Sequence, residues 1–182
     1  MRYVWRYLFG ELEILELNMS SGLDEYEKKI LAILQVDASR SSADIAQEIG
    51  LSQAPCWRRI QRLKDEGYIR SEVCVLDRRK IGLRAQVFAQ VKLTAHGRAN
   101  LSQFADAMNA FPEVLDCYVL MGSVDFMLRI VTEDIEAYER FFFEKLSQVP
   151  GVQEINSMVA LSEIKFTTCL LYTSDAADDL LC

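Results

Sequence analysis

The residues most able to do chemistry here are cations. Between residues 52 and 80 the chain carries Arg58, Arg59, Arg62, Lys64, Arg70, Arg78, Arg79 and Lys80 against four acidic residues, although the whole 182-residue chain has a net charge of −7. Contact with a polyanion follows local rather than total charge, so this stretch is the place to look for phosphate binding. Within it, Cys56, Ile60 and Leu63 recur at helical spacing and predict a helix over 53–66 with its inner face on those three residues. Gln53, Ala54, Trp57, Arg58, Gln61 and Arg62 are left for the outer face. Side chains on the first turns of such a helix read base edges in a major groove. Gln53 suits adenine, and Ala54 suits the thymine methyl. Trp57 either packs on a sugar-phosphate wall or fills a gap beside the preceding helix. Ser52 is the expected N-cap, and its hydroxyl either caps only or also reaches a phosphate. Arg58 and Arg62 lie four residues apart and share a face, which makes them the expected phosphate or guanine contacts. Arg59 points elsewhere and is expected to pair within its own domain.

A second constellation lies at Gly122, Ser123 and Asp125. Glycine permits close backbone approach of a ligand, a carboxylate can accept from an ammonium group, and a hydroxyl can hold a carboxylate. The same residues also make an ordinary hairpin, with positive φ at the glycine and the aspartate bonded to the turn. Met121, Asn156, Ser157 and Met158 are companions from neighbouring strands. Cys117 and His96 stand in a strand and a loop without a motif around them, so no catalytic residue is assigned and no enzyme activity is expected. The five cysteines are scattered and lack CxxC spacing, and there is one histidine. A zinc site and a disulfide framework are therefore not expected. No phosphate-binding loop or dinucleotide fingerprint occurs, and no cofactor is expected. No apolar run reaches the ~20 residues of a membrane helix, and the expected location is the cytoplasm of a bacterium or archaeon.

The elements that must position these residues follow from periodicity. Residues 23–36 read as a helix with Tyr26, Ile30, Ile33 and Leu34 on one face. Ser41 or Ser42 caps a short second helix whose inner face is Ile45, Ala46 and Ile49, and Gly50 closes it. With 53–66 this forms a helix-turn-helix, and Tyr68-Ile69-Arg70 and Val73-Cys74-Val75 are the expected strands of a wing. Residues 77–84 read as a basic linker. Beyond it, 85–94 alternates as a strand, 98–110 is helical and stops at Pro112, and strands follow at 114–121 and 124–132. A helix over 135–148 has Ile135, Tyr138, Phe142, Leu146 and Val149 inward, and a last strand spans 152–162. Of Phe141, Phe142 and Phe143, only Phe142 is expected centrally on the inner stripe. The fold class is α+β: an N-terminal winged helix-turn-helix at 23–76 and a C-terminal ferredoxin-like βαββαβ domain at 85–170. Two helices cover one sheet face, and a second subunit is the expected cover for the other. Residues 1–22 and 171–182 are expected to lie outside the fold, with Met19 as the start and a non-native tail after Leu170.

Taken together, the motifs resemble the Lrp/AsnC family of leucine-responsive or feast/famine regulators. The resemblance rests on Asp24 and Ile30-Leu31, Ser39-Arg40-Ser41, and LSQAPCWRRIQRLKDEGYI at 51–69. It continues through Pro112-Glu113-Val114, Cys117-Tyr118, Gly122 to Phe126, Leu146 to Val152, and Ala160 to Lys165. The family usually carries another acidic residue or Asn where Ser123 and Val124 stand. The resemblance implies double-stranded DNA as partner, dimers joined through the second domain into higher even-numbered oligomers, and a small effector, usually an amino acid, at the contact between dimers. The alternative is a nucleoid-type architectural protein that binds DNA without an effector.

Overall fold

The computed structural model describes residues 22–171 of the chain. The expectations for the two ends fall almost wholly outside that range. The chain divides into two compact units: one holds 22–75 together with 164–171, the other 76–163. Residues 164–170 thus group with the first unit and not with the second domain, where they are expected.

The first unit contains α1 (Glu25–Leu34), α2 (Ser42–Ile49) and α3 (Gln53–Asp65). Each helix begins where the sequence supplies a cap. Asp24 and Glu27 form a reciprocal capping box, with the Glu27 amide donating to Asp24 Oδ1 at 2.9 Å and the Asp24 amide to Glu27 Oε2 at 3.0 Å. Ser41 Oγ accepts from the Asp44 amide at 3.2 Å. Gly50 closes α2 at φ 73°, a left-handed conformation that a side chain would oppose. The core joins Ile30, Ile45, Ala46, Cys56, Ile60 and Leu63, with Leu51 packed against it from the turn.

The two wing strands do not form. Residues 70–77 carry no strand ladder or helix, and Val73, Cys74 and Val75 are exposed. Only Ile69 of the first packs on the core, and two three-residue strands are too short to hold each other. Lys64 Nζ instead meets Glu72 Oε1 at 2.8 Å.

In the second unit β1 (Ala85–Leu93), β2 (Val114–Val119), β3 (Phe126–Thr132) and β4 (Val152–Val159) form one sheet in the order β2-β3-β1-β4, every pair antiparallel. This is the expected ferredoxin-like arrangement. Val87, Ala89, Val91 and Leu93 share a core with Phe104 and Met108 of α5 (Leu101–Ala110) and with Tyr138 and Phe141 of α6 (Ile135–Glu144). The expected helix at 98–110 starts earlier, as a short α4 (Ala95–Ala99), and breaks at Asn100. Within α4 the backbone packs closely: a Cβ on Gly97 would lie 2.6 Å from the Gly151 carbonyl oxygen. Residue 97 must therefore be glycine, and Thr94 caps its amide at 3.0 Å.

The phenylalanine run is placed differently from the expectation. Phe141 takes the central inward position and is 3% exposed, Phe142 is half-buried, and Phe143 is 60% exposed. Ile135 is also exposed. The inner stripe of α6 thus runs through Tyr138 and Phe141, three residues apart, and α6 ends at Glu144 before a 3₁₀ turn carries Leu146 inward.

Candidate functional site

Helix α3 is set up by the turn before it. Leu51 donates its amide to the Ala46 carbonyl at 2.8 Å, which brings Ser52 to the helix start. Ser52 occupies the N-cap position through its backbone, but its side chain makes no capping bond. The exposed hydroxyl is left available. Pro55 in the first turn lacks an amide where α3 needs none. Cys56, Ile60 and Leu63 are buried as expected, and Gln53, Ala54, Trp57 and Arg58 are exposed, Trp57 at 53%. The tryptophan therefore fills no gap beside α2.

The arginines separate into two groups. Arg58 has no carboxylate partner among the described residues. Arg59, as expected, pairs within the unit: it meets the Asp24 carboxylate, lies 3.5 Å from Glu27 Oε1, and sits 5.7 Å from the Tyr26 ring centre. Arg62 does not stand free beside Arg58. Its Nη2 lies 2.5 Å from Glu27 Oε1, and its Nε 3.8 Å from Glu66. Glu27 itself is 2% exposed. A pattern search for apolar residues passes over Glu27, but its place three residues before Ile30 put it on the inner face of α1. The backbone bonds of the capping box, first through the Glu27 amide, and then the Arg59 guanidinium hold the Asp24 carboxyl below its usual range.

Further cations lie beyond α3. Arg70, Arg79 and Lys80 are exposed and have no carboxylate partner among the described residues. The expected linker is an ordered turn. Asp77 Oδ1 accepts from the Arg79 and Lys80 amides at 3.0 and 3.3 Å, and Arg78 donates to the Leu83 and Arg84 carbonyls at 3.1 and 2.8 Å.

The second constellation is not one cluster. Met121, Gly122 and Ser123 are exposed at the β2–β3 connection, Met121 at 93%. Gly122 is not among the glycines with positive φ, so the hairpin explanation through a left-handed glycine fails. Asp125 is engaged internally. Its Oδ2 accepts from the Leu93 amide at 2.7 Å, and its Oδ1 lies 3.7 Å from Arg98 Nε. It fastens the connection to the end of β1. On β4, at the opposite edge of the sheet, register sets Asn156 and Met158 beside Gln90 and Phe88, on the face away from the helices. Ser157 takes the helix face and meets the Tyr138 hydroxyl at 2.5 Å. Burial pushes the Tyr138 hydroxyl up, and the bond to Ser157 pulls it partly back. Cys117 pairs in register with Leu128, and His96 is exposed in α4. No group of three or more His, Cys, Asp or Glu side chains able to hold a metal occurs among the described residues. No helix among them is long and apolar enough to cross a membrane.

Known proteins share both halves of this arrangement. Residues 23–70 match the winged helix-turn-helix DNA-binding model, and residues 86–170 match the Lrp/AsnC ligand binding domain. A DNA-binding transcriptional activator of Escherichia coli is 34% identical over 148 residues, covering 81% of this chain and 97% of that protein. The proline dehydrogenase transcriptional activator of Rhizobium radiobacter is 36% identical, covering 82% and 96%. An AsnC family transcriptional regulator from Agrobacterium tumefaciens superposes with a TM-score of 0.77 at 38% identity, covering 82% of this chain and 97% of that one. A transcriptional regulator of Neisseria meningitidis, solved in complex with L-Met, gives 0.78 at 33% identity, covering 82% and 96%. With an exposed first turn on α3, a ferredoxin-like second unit and relatives matched over nearly their full length, this chain belongs to the Lrp/AsnC family of transcriptional regulators.

Proposed function

We propose that this chain is a sequence-specific regulator of transcription whose DNA affinity or assembly responds to a small effector, with amino acids as the effector class. The observation that carries the reading is the outer face of α3. Gln53, Ala54, Trp57 and Arg58 are exposed side by side on its first turns while the opposite face is sealed in the core. Ser52 with its uncommitted hydroxyl completes the base- and phosphate-reading set. The effector class is supported by the L-Met complex of one solved relative and by the match of 86–170 to a ligand binding domain. Exposed Met121, Gly122 and Ser123 are the proposed contacts on this chain, with Asn156 and Met158 on the open sheet face. Asp125 and Ser157 hold the framework around them.

That open face also supports a homodimer and higher even-numbered assemblies. Phe88, Met127 and Met158 alternate out of the core on three adjacent strands, on the sheet face opposite α5 and α6.

The test is selection of bound sequences from a random duplex pool, followed by anisotropy titration with each amino acid. Enrichment of a defined motif, and an amino acid that shifts the Kd for it, are expected. An effector at 100 times its Kd adds about 2.7 kcal/mol to stability, which a thermal-shift screen reads directly. No enriched motif and no response to any amino acid would replace this reading with effector-free architectural binding.

A further inference from the structure

A buried carboxylate facing two arginines of a DNA-reading helix has a consequence for affinity. Glu27 projects from α1 at 2% exposure, with Oε1 2.5 Å from Arg62 Nη2 and 3.5 Å from Arg59 Nη1, and Oε2 accepting from the Asp24 amide. Asp24 pairs with Arg59 from the other side, and Glu66 lies 3.8 Å from Arg62. Three carboxylates therefore surround two guanidinium groups on this flank of α3, a local excess of negative charge. A phosphate approaching Arg62 would meet that excess and would have to displace a short contact to a desolvated acid. Arg58 on the same helix has no such opponent.

We propose that Glu27 is a positioning residue that withholds Arg62 from DNA, so that α3 presents Arg58 as its single available cation and relies on Gln53, Ala54 and Trp57 for discrimination. Electrostatic contact raises affinity for every sequence alike, whereas base contact separates one sequence from another. By keeping Arg62 paired, although its side chain remains 43% exposed, Glu27 lowers binding to arbitrary DNA relative to binding at a chosen site. This inference rests on the regulator reading and makes a different prediction from it.

The experiment measures how binding of the full chain to a labelled random-sequence duplex depends on salt concentration. Each phosphate contact contributes about 0.9 to the slope of log K against log salt. Glu27→Gln preserves the capping acceptor and removes the charge. It is expected to tighten random-duplex binding at low salt and to steepen the slope by up to about 0.9. Arg62→Gln should leave the slope at the wild-type value, and the double variant should return to it. Arg58→Gln should flatten the slope by about 0.9. A flatter slope in Arg62→Gln with no change in Glu27→Gln would overturn the proposal, because Arg62 would then be touching phosphate. Should Glu27→Gln fail to fold, the Arg62→Gln slope alone decides between the two. If the wild-type chain bound no duplex at all, the regulator reading and the DNA role of Glu27 would both fall. Non-additive unfolding shifts across Glu27→Gln, Arg62→Gln and their combination would still report the pairing itself.

Discussion

Arg58 and Arg62 are one helical turn apart and of the same type, yet only Arg62 meets carboxylates, those of Glu27 and Glu66. For Arg58→Ala, unfolding stability is expected to stay within about 0.5 kcal/mol of the parent, since the side chain is exposed and has no partner among the described residues. DNA affinity should fall, which paired anisotropy and thermal melts would show. Asp24 gives a pH-dependent prediction. Its carboxyl lies below its ordinary value of 3.8 because of the amide bond from Glu27 and the nearby Arg59. A depressed carboxyl stabilises the fold above its unfolded value, and that contribution is lost as pH falls through the folded one. The helix-turn-helix unit should therefore weaken below about pH 4, and Asp24→Asn should flatten that acid limb in melts collected from pH 7 downwards. At this scale the outer face of α3 was legible: Gln53, Ala54, Trp57 and Arg58 lie outward as their spacing demanded. Arg62 was not legible, because its partner is an acid on another helix, and a search for apolar periodicity treats every Glu as surface.

Helix caps divide by whether the side chain or only the backbone turns the chain. Ser41→Ala removes a bond to the Asp44 amide and should cost about 1 kcal/mol. Ser52→Ala removes no capping bond, so it should cost under about 0.5 kcal/mol while weakening DNA binding. Chemical denaturation of the two variants, side by side, would show the contrast. At α4, Gly97→Ala forces a Cβ onto the Gly151 backbone, where nothing can rotate away. A loss of about 1–3 kcal/mol is expected from overpacking, read as a lowered melting temperature. The sheet was legible because β1 and β3 alternate between core and open face. The wing was not: from Tyr68 to Val75 only Ile69 packs on the core while Val73, Cys74 and Val75 are exposed, and propensity without burial does not make a strand. The phenylalanine run misled for a related reason. A helix buries a stripe, and which of three adjacent rings occupies it depends on the ending of α6 and the 3₁₀ turn that follows, not on composition.

At the level of the whole molecule, assembly is the natural readout of the open sheet face. Met158→Glu places a charge among Phe88, Met127 and Gln90 without touching the helix-facing core. Sedimentation should then show a shift to lower mass with the helical signal retained, and an unchanged mass would move the subunit contact elsewhere. One other feature governs how this chain can be taken apart. The side chain of Gln35, just past α1, accepts from the Leu170 and Leu171 amides at 2.8 and 2.9 Å and donates to the Leu171 carbonyl at 2.9 Å, and Cys169 beside them is buried. The unit that holds α3 is thus assembled from two separated stretches of the polypeptide, 22–75 and 164–171, with 76–163 running between them. A ribosome finishes α3 long before it makes the last piece of the body that α3 belongs to. A clone that stops at residue 75 would yield an incomplete object, its glutamine amide facing water, and should melt lower than a version with 164–171 grafted back through a flexible tether.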